Sequence, residues 1–269
     1  MIKTFYSYYS LWIEVYKEGA ELTKETLKTI KSVFKIYILP ELANKALKEI
    51  TPLEINKIIS RVKKLRMKEY ISQYLRQIFK QAYTDKLIKT DIHQSIIKYK
   101  HKRKEGQALT KDQRETFLKA CENIKHKNAL LFAFYTGVRR SELLKFTNKD
   151  VFKDCIHIPG TKTESSDRYL PKFKPIEKLL PYDNEKGFNL SETTLKRTIY
   201  KLRKLCGFYF NFKDLRTTFG TMCAEMGIEE HIIAKWLGHT NTQTTRKYYI
   251  KILSKFESSQ AEIFNQSAM

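Results

Sequence analysis

The sequence predicts a mainly α protein with a small antiparallel β-sheet, and three observations carry that prediction. Apolar residues recur at helical spacing along most of the 269-residue chain. Several of these periodic segments stop at glycine, the residue that most often follows the end of a helix. CIHIPGTKTESSDRYLP, residues 155–171, breaks the helical period; two short β-prone runs flank a polar turn there, which reads as a hairpin.

The first 100 residues read as about four helices with no strand. YSLWIEVY begins one. TKETLKTIKSVFKIYI puts Leu27, Ile30, Phe34 and Ile38 on one face and is expected to stop at Pro40. TPLEINKIISRVKKL opens with Thr51 as N-cap, Pro52 at the first helical position and Glu54 at the capping-box offset. EYISQYLRQIFKQAYTDKLI carries the stripe Ile71, Leu75, Ile78 and Ala82. The stretch KYKHKRKEGQALT is basic, contains Gly106 and has no apolar periodicity. It marks a linker, residues 101–108, between a helical domain over 1–100 and a second domain over 109–269, because each flank can build its own core. LTKDQRETFLKAC opens the second domain with Thr110 as cap and Gln113 at the matching offset, and NALLFAFYTG follows. After the hairpin, helices resume at SETTLKRTIYKLRKLC, LRTTFGTMCAEMG and EEHIIAKWLG, with a C-terminal helix in TQTTRKYYIKILSKFESSQAEIF.

Charge narrows the class of partner. Lys and Arg number 51 against 29 Asp and Glu, a formal net charge of +22. The excess is spread: residues 1–105 hold 23 basic and 11 acidic residues, and residues 106–269 hold 28 and 18. A molecule basic throughout attracts polyanions, of which nucleic acid is the commonest. A lysine-rich background composition produces the same excess, so charge alone does not assign the partner. Cys121, Cys155, Cys206 and Cys223 form no C-x-x-C pair and suit no zinc site. No run of 18 apolar residues occurs and the N-terminus lacks a signal-peptide core, so the expectation is a cytoplasmic protein with no membrane segment.

Several polar residues break the apolar pattern. FAFYTGVRRSELL sets Arg139 and Arg140 directly after an apolar helix and a glycine, where a guanidinium needs an anionic partner or solvent. Lys162 lies in the hairpin turn, Arg216 falls early on a helix with Leu215 and Phe219, and His239 sits just past a helix end. Each is ordinary alone. In order they run T-G-x-R, a turn lysine 23 residues after Arg139, L-R at Arg216, L-G-H with its histidine 23 residues further, and a tyrosine nine residues after that. This series resembles the tyrosine recombinase (phage integrase) family, which includes the Xer recombinases. The resemblance is firm over about 109–250 and looser over 1–100, where ILPELANKALKEIT and QAYTDKLIKTDI look like the family's helical core-binding domain.

The resemblance implies a helical, SAM-like core-binding domain followed by an α+β tyrosine recombinase catalytic domain, with no arm-site domain ahead of the first helix. It implies Arg139 and Arg216 as phosphate-binding arginines, Lys162 as the hairpin lysine, His239 as the L-G-H histidine and Tyr248 as the nucleophile. Adjacent helical residues point about 100° apart, so Tyr249 is expected to pack rather than react. Forked guanidinium donors neutralise charge that grows on the phosphate oxygens. A tyrosine hydroxyl, with a reference pKa of about 10, needs that positive field to act at neutral pH. Lys162 is expected to protonate the leaving 5′ oxygen. The intermediate is a 3′-phosphotyrosyl bond, formed without metal, nucleotide or other cofactor. One position departs from the family pattern: Lys213 stands where H-x-x-R usually has its histidine. An ammonium can donate to a phosphate oxygen but cannot accept the tyrosine proton unless its pKa is depressed, which leaves His239, a water or a DNA phosphate oxygen as the general base. Glu142, three residues after Arg139, is placed to buttress that guanidinium.

The expected partners are double-stranded DNA and three further copies of the chain, as a homo-tetramer on two DNA sites that exchanges C-terminal helices. The function this implies is site-specific integration or excision of a mobile element. Xer-like dimer resolution is the near alternative, a DNA-binding regulator with impaired catalysis is the alternative of another class, and a type IB topoisomerase fits the helical N-terminal region less well.

Overall fold

The computed structural model describes residues 4–20, 22–102, 105–160, 164–182, 185–241, 243, 245 and 246. The chain divides into two compact units, Met1–Lys104 and Glu105–Met269.

In the first unit, α1 (Phe5–Ile13) starts at a reciprocal cap between Thr4 and Ser7 and runs into a π turn over Glu14–Glu18. α2 (Lys24–Val33) runs into a second π turn, Phe34–Ile38. Pro40 does not stop this helix. It sits in the first turn of α3 (Leu39–Leu42), and the Leu39 N–H reaches five residues back to the Phe34 carbonyl. A proline has no N–H and crowds the carbonyl four residues before it; the widened turn absorbs both effects, so the chain stays helical. α4 (Pro52–Ser60) has the expected capping box, with the Glu54 N–H on Thr51 Oγ1 at 3.3 Å and the Thr51 N–H on Glu54 Oε2 at 3.0 Å. α5 (Leu65–Thr84) buries Ile71, Leu75, Ile78 and Ala82 completely. The core centres on Phe34, whose ring lies 4.5 Å from Tyr9 and 5.6 Å from Trp12.

The second unit opens with Gly106–Leu109 laid along a later helix, α11 (Phe212–Glu225): the Gln107 N–H donates to Asp214 Oδ1 at 3.0 Å and the Leu109 N–H to Thr218 Oγ1 at 2.9 Å. α6 (Lys111–Cys121) begins at the Thr110–Gln113 box. α7 (Lys127–Thr136) is buried nearly all round, as its unbroken apolar sequence requires. The short α8 (Arg140–Lys145) follows. β1 (Cys155–Ile158) and β2 (Arg168–Pro171) pair antiparallel, and the register sets Ile156 opposite Leu170 and Ile158 opposite Arg168 on the buried face. α9 (Lys174–Glu177), α10 (Glu192–Cys206), α11 and α12 (Glu230–Leu237) complete the unit. α11 packs between α7 and α12, and α12 touches β2. Past α12 the backbone is helical at Gln243, Thr245 and Arg246. Lys162, Tyr248, Tyr249 and the rest of the expected C-terminal helix lie outside the described residues. The expected mainly α architecture with one small antiparallel sheet is the one observed. Among the described residues no helix is long and apolar enough to cross a membrane.

Candidate active site

Two helix ends build the site. α7 ends at Gly137, whose φ of 63° lies in the left-handed region. A Cβ at Gly137 would stand 2.7 Å from both Leu237 Cδ2 and Phe219 Cδ1, so only glycine lets the ends of α7 and α12 approach this closely. α12 ends at Gly238, with φ of 62°. The last carbonyls of a helix have no partner within it and carry the negative end of its dipole. Here three successive carbonyls each receive a guanidinium. Trp236 O accepts from Arg168 Nε at 2.6 Å, Leu237 O accepts from Arg216 Nη2, and Gly238 O accepts from Arg139 Nη2 at 2.8 Å. Arg216 also donates through Nη1 to Gly137 O at 2.8 Å, which ties it to both helix ends.

Arg139 stands at the N-cap of α8. Its backbone N–H and its Nη1 both donate to the carboxylate of Glu142, at 2.7 and 2.6 Å, so the expected buttress is present. Glu142 is fully buried and also accepts from Arg168 Nη2 at 3.1 Å. Burial pushes the Glu142 carboxyl up, but the hydrogen bond and charge of Arg168, followed by the two bonds from Arg139, hold it below its ordinary value. Arg216 is buried, whereas the Arg139 side chain is 34% exposed.

His239 follows Gly238, and its N–H closes the helix end on Ala234 O at 3.0 Å. Its Nδ1 lies 2.8 Å from the hydroxyl of the buried Thr245. Burial, then the charges of Arg216, Arg139 and Arg168, lower its pKa to about 3. The imidazole is therefore neutral across the physiological range. Lys213 is exposed on the first turn of α11, and its N–H is capped by Asn211 Oδ1 at 3.0 Å. Arg139, Arg140, Lys213 and Arg216, with Val138 and Phe212, line one cavity of about 340 Å³. Arg140 is half-exposed and also pairs with Glu192 at 3.4 Å. So four of the residues singled out from the sequence, Arg139, Lys213, Arg216 and His239, belong to one locality. An anion entering it meets three arginines and a lysine, beside a neutral imidazole.

The phage integrase family model matches residues 107–254 of this chain, more than half of its length. The chain belongs to the phage integrase family. A second model, the phage integrase N-terminal SAM-like domain, matches residues 4–63. Among curated relatives, tyrosine recombinase XerA of Saccharolobus solfataricus is 30% identical over 176 residues, covering 63% of this chain and 60% of that protein. The XerA of Pyrococcus horikoshii is 31% identical, covering 55% of this chain and 58% of that protein. The aligned regions thus span less than two thirds of these curated relatives. Among solved structures, a lambda integrase dimer bound to a COC′ core site superposes with a TM-score of 0.77 at 20% identity, covering 91% of this chain and 77% of that one. The Tn1549 transposon integrase in complex with a circular intermediate DNA gives 0.72 at 18% identity, covering 98% and 99%. At such identities the likeness is one of fold.

Within this phage integrase family chain, two site residues are not evident from the sequence motifs. Arg168 is one. Its signal is the two-residue period of RYLP, which puts it in phase with Leu170 on the inward face of the hairpin, where a charge needs a partner. Thr245, which holds the His239 ring, is the other; nothing in the run of threonines distinguishes it.

Proposed function

We propose that this chain is a site-specific DNA recombinase that cleaves and rejoins DNA through a 3′-phosphotyrosyl intermediate, serving integration or excision of a mobile element. The observation that carries the reading is the convergence of Arg139, Arg216 and a neutral His239 on the single turn that ends α12. Two fixed guanidinium groups suit a phosphodiester that gains negative charge in the transition state. By analogy with oxyanion-hole donors each contributes roughly 10² to 10³ in rate. Tyr248 is the nucleophile and leaves Tyr249 to packing. Lys162 protonates the departing 5′ oxygen, Lys213 donates to a phosphate oxygen, and the 5′ hydroxyl of a second duplex later attacks the phosphotyrosine. His239 is neutral, but a pKa held near 3 makes its imidazole a weak proton acceptor, so a water and a DNA phosphate oxygen stand beside it as candidates for the base. The match of the SAM-like model supports a core-binding role for the first unit, and the distributed charge of +22 supports DNA as the partner.

The test is to mix the protein with DNA from the flanks of its own gene and look for a covalent complex on a denaturing gel. Tyr248→Phe should bind DNA and give no adduct; Tyr249→Phe should give it. An adduct mapped to Tyr249 would overturn the assignment. The names of the curated relatives favour a second reading, Xer-like resolution of chromosome or plasmid dimers. Recombination between two copies of one site, with none between two unlike sites, would select it.

A further inference from the structure

Arg168 lies behind the clamp and has no step in the mechanism above. It is 5% exposed, on the buried face of the two-stranded sheet, otherwise made of aliphatic Ile156, Ile158 and Leu170. Burying a guanidinium costs several kcal/mol, and an apolar side chain of similar size is often neutral or better for stability. The fold alone therefore gives no reason for the charge. Its hydrogen bonds do, because they run in three directions. Nε donates to Trp236 O at the end of α12 (2.6 Å), Nη1 to Ser166 O in the hairpin (2.9 Å) and Nη2 to Glu142 Oε2 on α8 (3.1 Å). Glu142 passes the constraint on to Arg139 through its other oxygen, at 2.6 Å. Ser165 O, just ahead of β2, stands 2.8 Å from where a Cβ on Gly238 would be. The hairpin, the start of α8 and the end of α12 thus meet at one side chain.

We propose that Arg168 is a positioning residue: it fixes the Arg139 guanidinium through Glu142, ties the Ser166 end of the β1–β2 connection to the same frame, and adds a third positive charge facing His239. The groups pressing on His239 are Arg216 from α11, Arg139 from the start of α8 and Arg168 from β2, with Glu142 as their shared counter-charge. The effect on cleavage rests on the recombinase reading; the effect on His239 does not.

The test separates charge from geometry. Arg168→Gln and Arg168→Met remove both; Arg168→Lys keeps the charge and loses the fork. In the full chain, NMR of the histidine ring carbons follows His239 on acidification from pH 7 toward its folded pKa of about 3. Burial, Arg216 and Arg139 each weigh more on His239 than Arg168 does, so a folded charge-free variant should keep most of the depression and begin to protonate at a slightly higher pH than the wild type or Arg168→Lys. Adduct formation should fall about 10²-fold in Arg168→Lys, the scale expected for a catalytic group displaced by about 1 Å, with single-site DNA affinity within two-fold of wild type. An unchanged His239 in a folded charge-free variant overturns the electrostatic role. Wild-type cleavage by Arg168→Lys overturns the positioning role. A wild-type protein that forms no adduct with its own flanking DNA would instead sink the recombinase reading, and the histidine titration would still test Arg168.

Discussion

At the scale of single residues, Glu142 and His239 respond in opposite ways to the same arginines, Arg139 and Arg168. Glu142 must stay charged between two arginines, and breaking such a buried pair from one side costs about 3–5 kcal/mol. Glu142→Ala should lose stability on that scale in chemical denaturation; a loss under about 1 kcal/mol would mean that Arg139 and Arg168 find other partners. The folded protein holds the Glu142 pKa down. Its contribution is therefore present above the unfolded carboxylate value of about 4.3 and is lost as pH falls through the lower folded value. His239 is also depressed, to about 3. Between that pH and about 6.5 the unfolded chain binds the extra proton, so this contribution is complete above about 6.5 and erodes on acidification. Acid titration of the melting temperature should therefore show loss starting below about pH 6.5, and His239→Gln should remove that first phase. Lys213 gives a third measurement. If it only donates to phosphate, Lys213→His preserves much of the cleavage rate and Lys213→Ala lowers it; an unchanged Lys213→Ala removes the position from the chemistry. The primary clamp was legible because its residues keep a fixed order and spacing along the chain. Arg168 and Thr245 were not, because their importance lies in what they touch, and those contacts span 68 residues to Trp236 in the one case and six to His239 in the other.

At the scale of elements, caps and turn chemistry were the readable part. Thr51 with Glu54 and Thr110 with Gln113 start helices where the sequence places them, because an N-cap is a local device. Pro40 misleads for the complementary reason. Pro40 is accommodated by the π turn over Phe34–Ile38 ahead of it, a backbone adjustment that the residue type alone does not announce. The glycines at helix ends separate two roles. Gly207 closes α10 at φ 73° with nothing near a would-be Cβ, so Gly207→Ala should cost only the left-handed backbone penalty, about 1–2 kcal/mol. Gly238 has the same backbone need and also Ser165 O at 2.8 Å from the Cβ position. Gly238→Ala should therefore lower the melting temperature further than Gly207→Ala and abolish adduct formation. Equal losses in the two variants, with cleavage intact, would show that the hairpin does not press on the helix end.

At the scale of the whole molecule, the readable feature was the distribution of charge: both halves are basic, as expected of a chain that meets a polyanion along its length. DNA affinity should fall steeply with salt, and a flat response would contradict extensive phosphate contact. Cleavage should proceed in excess EDTA without nucleotide; Mg²⁺-restored activity would exclude the mechanism proposed. Leu253, Phe256, Ile263 and Phe264 fall near one face of the expected C-terminal helix, and an apolar stripe must be covered. We expect a neighbouring protomer to cover it, in head-to-tail contacts that close a tetramer. A chain ending at Ser254 should then melt normally and bind a single site, yet lose strand exchange. A collapsed melting temperature would mean that the stripe packs on its own domain.

The socket at the end of α12 is made of main chain. Trp236, Leu237 and Gly238 present carbonyl oxygens to three arginines, and every amino acid has that oxygen. Replacing the side chain at Trp236 leaves its acceptor in place, whereas inserting one residue into α12 would turn all three acceptors about 100° around the helix axis. The arginines are thus gauged by the length of a helix. Substitutions along the outer face of α12 should be tolerated one after another, while a single-residue insertion there should disconnect all three guanidinium groups at once.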